Sequence, residues 1–157
     1  MGIAEQLQFV QEHVYFNFLG GPKILKMRHV INFFKGATFP YVILLMIYFN
    51  NYSLGMYLYL ALHGSYGIIW ILKDWLFPDK TFDTTATFGS LAVVTTLLIL
   101  YWSLPLFIAT GLGIQTPSYL RVTVAVMTYA LGAVLMIGSD GQKTFTLKYK
   151  KGIRIFI

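Results

Sequence analysis

Long apolar stretches broken by short polar punctuation organise this chain. Residues 3–19 place Ile3, Leu7, Val10 and Val14 on one stripe, with Glu5, Gln8, Gln11 and Glu12 elsewhere on the helix, a pattern that predicts an interfacial amphipathic helix. Gly20-Gly21-Pro22 ends it, and Lys23, Lys26, Arg28 and Lys35 lead into the first apolar run. That run, residues 30–49, reads as a span with Pro40 as a kink and with Lys35 close enough to the end to snorkel. Asn50-Asn51-Tyr52-Ser53 is the turn. A second span follows over residues 54–72, long enough at about 1.5 Å per residue to cross most of a roughly 30 Å hydrocarbon core. Residues 73–83 read as a charged loop. The third run, residues 85–113, exceeds what one upright helix needs, and Pro105 offers a bend. Residues 111–118 make the next turn, residues 119–138 the fourth span, and residues 139–157 a basic tail.

The expected architecture is therefore an all-α integral membrane fold, a single membrane-embedded domain of about four transmembrane helices preceded by an interfacial segment over residues 1–29. Composition agrees. Of 157 residues, 57% are hydrophobic and 11% charged, against roughly 25% charged in an ordinary soluble domain. There is no cysteine, which excludes disulfides, thiolate metal sites and cysteine nucleophiles. His13, His29 and His63 are too scattered for a metal motif. Nor does the N-terminal segment, with Glu5 and Glu12, have the basic-then-apolar pattern of a secretory signal.

The net charge of +6 changes the picture only through its position. With four spans, every lysine and arginine except Arg121 falls on one side. The positive-inside rule turns that side, with both termini, toward the cytosol or the mitochondrial matrix; endoplasmic reticulum and mitochondrial inner membrane both remain open. Basic residues flanking spans imply membrane lipids as partners and no nucleic acid.

In the second span Tyr59, His63, Tyr66, Gly67, Trp70 and Asp74 recur at helical spacing and form a polar-aromatic stripe. A mid-membrane histidine needs a partner or a cavity. His63 therefore either touches a ligand or hydrogen-bonds a neighbouring helix, with Gly64 and Gly67 permitting close packing. The mixed charges of Lys73-Asp74-Trp75-Leu76-Phe77-Pro78-Asp79-Lys80 read as a solvated connector with an interfacial tryptophan. Gly111-Leu112-Gly113 lacks the context of a dinucleotide fingerprint and reads as a helix end.

Ser139-Asp140-Gly141-Gln142-Lys143, with Lys150-Lys151-Gly152-Ile153 behind it, resembles the steroid 5α-reductase C-terminal family and its uncharacterised relatives, which share an architecture with isoprenylcysteine methyltransferases. Leu62-His63-Gly64-Ser65-Tyr66-Gly67 with Trp70, Lys73, Pro78 and Asp79 is similar to a branch of the same family. The resemblance covers the chain from about residue 33 onward and implies a helical bundle that holds NADPH on its cytosolic side to reduce a conjugated carbon-carbon double bond in a lipid. It also implies that Asp140, Gln142 and Lys143 match the start of the cofactor-proximal region. The family's following asparagine- and proline-containing motif has no counterpart before Arg154-Ile155-Phe156-Ile157. Three functions are therefore expected. The first is a non-catalytic accessory or structural subunit of a larger membrane complex, with no cofactor and with other membrane subunits as partners. The second is an NADPH-dependent lipid reductase of which this is an incomplete stretch. The third is a small lipid- or quinone-binding protein using Tyr59, His63, Tyr66 and Trp70. No catalytic residue is assigned.

Overall fold

The computed structural model describes residues 2–149. Lys150, Lys151 and Arg154 of the expected tail, and the side chains of Ile3 and Leu7, lie outside the described residues. Of the described residues 75% are helical, and four helices among them are long and apolar enough to cross a membrane. This is an all-α integral membrane protein, as the hydropathy pattern predicts.

Helix α1 (Ile3–Phe16) precedes a short strand β1 (Lys23–Lys26) and the first span, α2 (Met27–Tyr48). The second span joins α3 (Leu54–Tyr59), a π-helical turn (Leu60–Gly64) and α4 (Ser65–Leu76) into one run of 23 residues. Strand β2 (Thr85–Thr87) leads into α5 (Phe88–Ala109), and α6 (Tyr119–Tyr149) forms the last span. Ser53 and Thr87 cap the second and third spans through their side chains, which accept from the backbone N–H groups of Met56 and Ser90. Pro40 and Pro105 lie inside continuous helices.

Several expected boundaries move. Residues 73–76 belong to α4, and residues 139–149 extend α6 by three turns rather than starting a tail. Thr85–Thr87 leaves the third span to pair antiparallel with β1, Leu25 opposite Ala86 and Lys26 opposite Thr85. The pairing satisfies backbone groups at the membrane border that neither helix could reach, as a desolvated backbone demands.

One core lies at the basic end of the bundle, where Phe16 packs with Met27, Ile31, Ala86, Leu91 and Val94. The Phe18 backbone locks this docking: its N–H donates to Ser90 Oγ at 2.9 Å, and its carbonyl accepts from Thr87 Oγ1 at 2.8 Å. A second core gathers Val42, Leu45, Met46, Met56, Tyr59 and Ala109. At that end Asn51 Nδ2 donates to the carbonyls of Ile108 and Ala109, both at 3.0 Å, and to Gln115 Oε1 at 2.8 Å. The first loop thereby covers carbonyls that α5 leaves open at its C-terminus. Helix α6 is the least covered span: none of the residues in its most apolar stretch is buried within the chain.

Candidate functional site

The second span positions the site. Its π-helical turn inserts a residue before α4, and such turns recur at functional positions because they re-aim the side chains beside them. Here the turn carries His63. The imidazole stacks on Tyr59 with centroids 4.2 Å apart and planes 7° from parallel, and Tyr101 of α5 approaches its other flank at 5.7 Å. His63 Nδ1 is buried without a hydrogen-bond partner.

Beyond it, a cavity of about 460 Å³ opens between the second, third and fourth spans, walled by His63, Tyr66, Trp70, Tyr101, Tyr129 and Met136. Tyr129 Oη and Ser65 Oγ lie 2.6 Å apart and tie α6 to the second span at its edge. The Ser65 hydroxyl also donates back to the Ala61 carbonyl, which the π-helical geometry leaves accessible.

Lys35 of the first span approaches the same rings: its ammonium lies 4.6 Å from the Tyr101 ring centroid, 4.8 Å from Tyr66 and 5.8 Å from Trp70. The negative faces of the rings attract it. The opposite neighbour of Trp70 is Lys73, 4.4 Å from the ring and 5% exposed. Lys73 is ion-paired to Asp140 Oδ2 at 2.8 Å.

Below the cavity, at the basic end, lies a polar cluster. Trp70 Nε1 donates to Asn32 Oδ1 at 3.0 Å, and Asn32 Nδ2 donates to Asp74 Oδ2 at 2.8 Å. Arg28 meets Asp74 at 3.3 Å and Asp83 at 3.0 Å, while Lys26 reaches Asp83 at 3.3 Å. Asp74 of the expected solvated connector thus belongs to a network that ties α2 and β1 to α4 and to the turn before β2. Asn32 finds partners for both atoms of its amide inside the chain.

Of the residues singled out in the sequence, His63, Tyr66 and Trp70 line one cavity, and Tyr59 lies behind them, buried in the second core. Asp140 and Lys143 lie elsewhere, in ion pairs that fasten α6 to α4 and to the segment after it: Asp140 to Lys73, and Lys143 Nζ to Asp79 Oδ2 at 3.0 Å. Gln142 is exposed. Burial pushes the Asp79 carboxyl up, but the Thr81 backbone N–H at 2.9 Å and the Lys143 ammonium outweigh it and hold the group below its ordinary value. Asp79, Asp140 and Lys143 border a second, smaller cavity of about 340 Å³ between Phe77 and Leu147. Sequence reasoning missed Lys35, Tyr101 and Tyr129 because they come from three other helices. A cation well inside an apolar run was the available signal for the first.

Among the described residues no cluster of histidine and carboxylate side chains could hold a metal ion. Compared with protein-family models, curated proteins and solved structures, the chain matches none.

Proposed function

We propose that this protein binds a small amphiphile of the lipid or quinone class in the aromatic cavity of its second, third and fourth spans. The observation that carries this reading is the convergence of His63, Tyr66, Trp70, Tyr101 and Tyr129 on one cavity of about 460 Å³. Ligand pockets of this size, mostly apolar with a few polar groups, suit a ring or a chain segment. An intramembrane histidine and an intramembrane lysine are both costly without such a role. The hydroxyls and the imidazole supply orientation, and the ring faces supply stacking.

A second reading, an accessory subunit of a larger membrane complex, draws support from α6, whose apolar stretch is unburied within the chain. Packing and interhelical hydrogen bonds drive such association. The reductase reading places NADPH against Asp140, Gln142 and Lys143, where a dinucleotide would compete with both the Lys73–Asp140 and Asp79–Lys143 pairs.

A photoreactive residue at Met136, which borders the cavity, separates these readings in native membranes. The ligand reading expects adducts enriched in one small amphiphile over bulk phospholipid, lost in Trp70→Ala. Adducts with another polypeptide instead support the subunit reading. Adducts that merely mirror bulk lipid count against the cavity as a binding site.

The basic end of the bundle faces the cytosol or the mitochondrial matrix in this proposal, because Lys26, Arg28, Lys73, Lys80 and Lys143 gather there. Tags at residues 1 and 157 in sealed vesicles should be cut or protected by protease together. Cleavage of one alone means an odd number of crossings.

A further inference from the structure

Two lysines share the ring of Trp70, and their surroundings differ in one respect. Lys73, 4.4 Å from the ring, has the Asp140 carboxylate at 2.8 Å. Lys35, 5.8 Å from the same ring, has no carboxylate within ion-pair distance among the described residues. The Lys35 position is also the deeper one. It follows Asn32, which anchors the border network, by three residues, or roughly 4.5 Å of helix toward the membrane centre.

Ring faces attract an ammonium but carry no net charge, so Tyr66, Trp70 and Tyr101 hold the cation without neutralising it. Lys35 is partly buried, and ionisable residues within a membrane span ordinarily pair with one another or mark ligand or ion paths. The side chain is directed at the rings of Tyr66 and Tyr101, with its ammonium 4.8 and 4.6 Å from their centroids. His63 offers no counter-charge either, since an imidazole is neutral or cationic.

We infer that Lys35, which does not itself line the cavity but lies against three of the rings that wall it, is its anion-recognising group, and that the ligand is a single-chain amphiphile with a carboxylate or phosphate monoester head. The head pairs with the Lys35 ammonium between the rings of Tyr66 and Tyr101, and the chain lies in the cavity toward Tyr129 and Met136. This rests on the cavity being a ligand site, as proposed above. The anion completes in trans the pairing that Asp140 supplies to Lys73 in cis, and the aromatic walls exclude the water that would weaken it.

The test uses the full chain in nanodiscs of phosphatidylcholine, a bilayer without net anionic lipid, with two quenchers of tryptophan fluorescence: dibrominated stearate and its neutral counterpart, dibrominated stearyl alcohol. Quenching through the bulk bilayer, as at the exposed Trp75, rises without saturating. Occupancy beside Trp70 saturates, and Trp70→Phe removes that component. A charge-assisted hydrogen bond is expected to make stearate half-saturate at about tenfold lower concentration than the alcohol, or lower still. Lys35→Gln should abolish the difference, and Lys35→Arg, which keeps the charge, should retain it. Equal saturation by both probes in the unaltered protein overturns the anion assignment while leaving the cavity as a ligand site, and that outcome does not depend on any variant folding. A stearate preference that persists in Lys35→Gln overturns the role of Lys35. Saturation by neither probe counts against the cavity reading and this inference together.

Discussion

Replacing Asp140 by alanine is expected to cost roughly 3–5 kcal/mol of stability, because it leaves a buried ammonium without its counter-charge. The side chain of Lys73 is 4% exposed and that of Asp140 23% exposed, so the two partners are not equivalent. Removing Asp140 strands Lys73 against the Trp70 ring, with almost none of its side chain exposed. Removing Lys73 strands a carboxylate that retains some access to the surroundings and can be solvated or protonated there. Lys73→Met should therefore be the milder change. Replacing both partners, Lys73→Met with Asp140→Leu, should restore most of the loss, since apolar substitutes of similar volume often equal or exceed a buried ion pair. Reversible unfolding in mixed micelles across this cycle measures the coupling. A loss below about 1 kcal/mol for Asp140→Ala, in the range of exposed pairs, would mean that the pair contributes no more than a surface contact. The same cycle bears on the resemblance to the reductase family. If Asp140 serves chiefly to hold α6 against α4, its removal lowers stability whether or not NADPH is present.

The apolar runs were legible in the sequence because a membrane demands backbone satisfaction within each helix and writes that demand as length and hydropathy. Boundaries were less legible where polar residues continue a helix. Ser139, Asp140 and Lys143 read as the end of the fourth span by composition, yet the helical spacing of Asp140 and Lys143 lets them face α4 and the loop beyond it, and the helix runs on to Tyr149. The β1–β2 ribbon left no periodic signal, since strands of four and three residues are too short to show alternation. At the site, the stripe through His63, Tyr66 and Trp70 was visible because it lies on one helix. The contributions of Lys35, Tyr101 and Tyr129 depend on which faces of α2, α5 and α6 meet, which periodicity on a single helix does not encode. The glycines of the second span were the exception, since small residues in a span point to a close approach before the approaching element is known.

Gly67→Ala is expected to destabilise by roughly 1–3 kcal/mol, and Gly67→Leu to prevent the native packing of α2 on α4 altogether. A methyl group built on Gly67 runs into the carbonyl oxygen of Lys35, with the carbonyl carbon 3.1 Å away and Lys35 Cα at 3.9 Å. The obstacle is backbone rather than the end of a flexible side chain, so no rotamer change relieves it and the two helices must separate. They form the most extensively packed helix pair in the bundle, and lipid offers no hydrophobic compensation when two spans are pushed apart. Gly138 provides the control: a methyl group there meets nothing within 4 Å, and alanine at that position should be neutral or stabilising by up to about 1 kcal/mol through helix propensity. Separation at Gly67 has a second consequence, because the clashing carbonyl belongs to the residue whose ammonium sits among Tyr66, Trp70 and Tyr101. Moving that backbone displaces Lys35 from the rings. Gly67→Ala should therefore weaken saturable quenching by dibrominated stearate more than by the neutral alcohol, while Gly138→Ala leaves both unchanged. A destabilised Gly67→Ala protein with an unaltered preference for the anion would mean that the Lys35 side chain adjusts independently of its backbone. A Gly67→Ala protein as stable as the parent would mean that α2 and α4 do not make this contact.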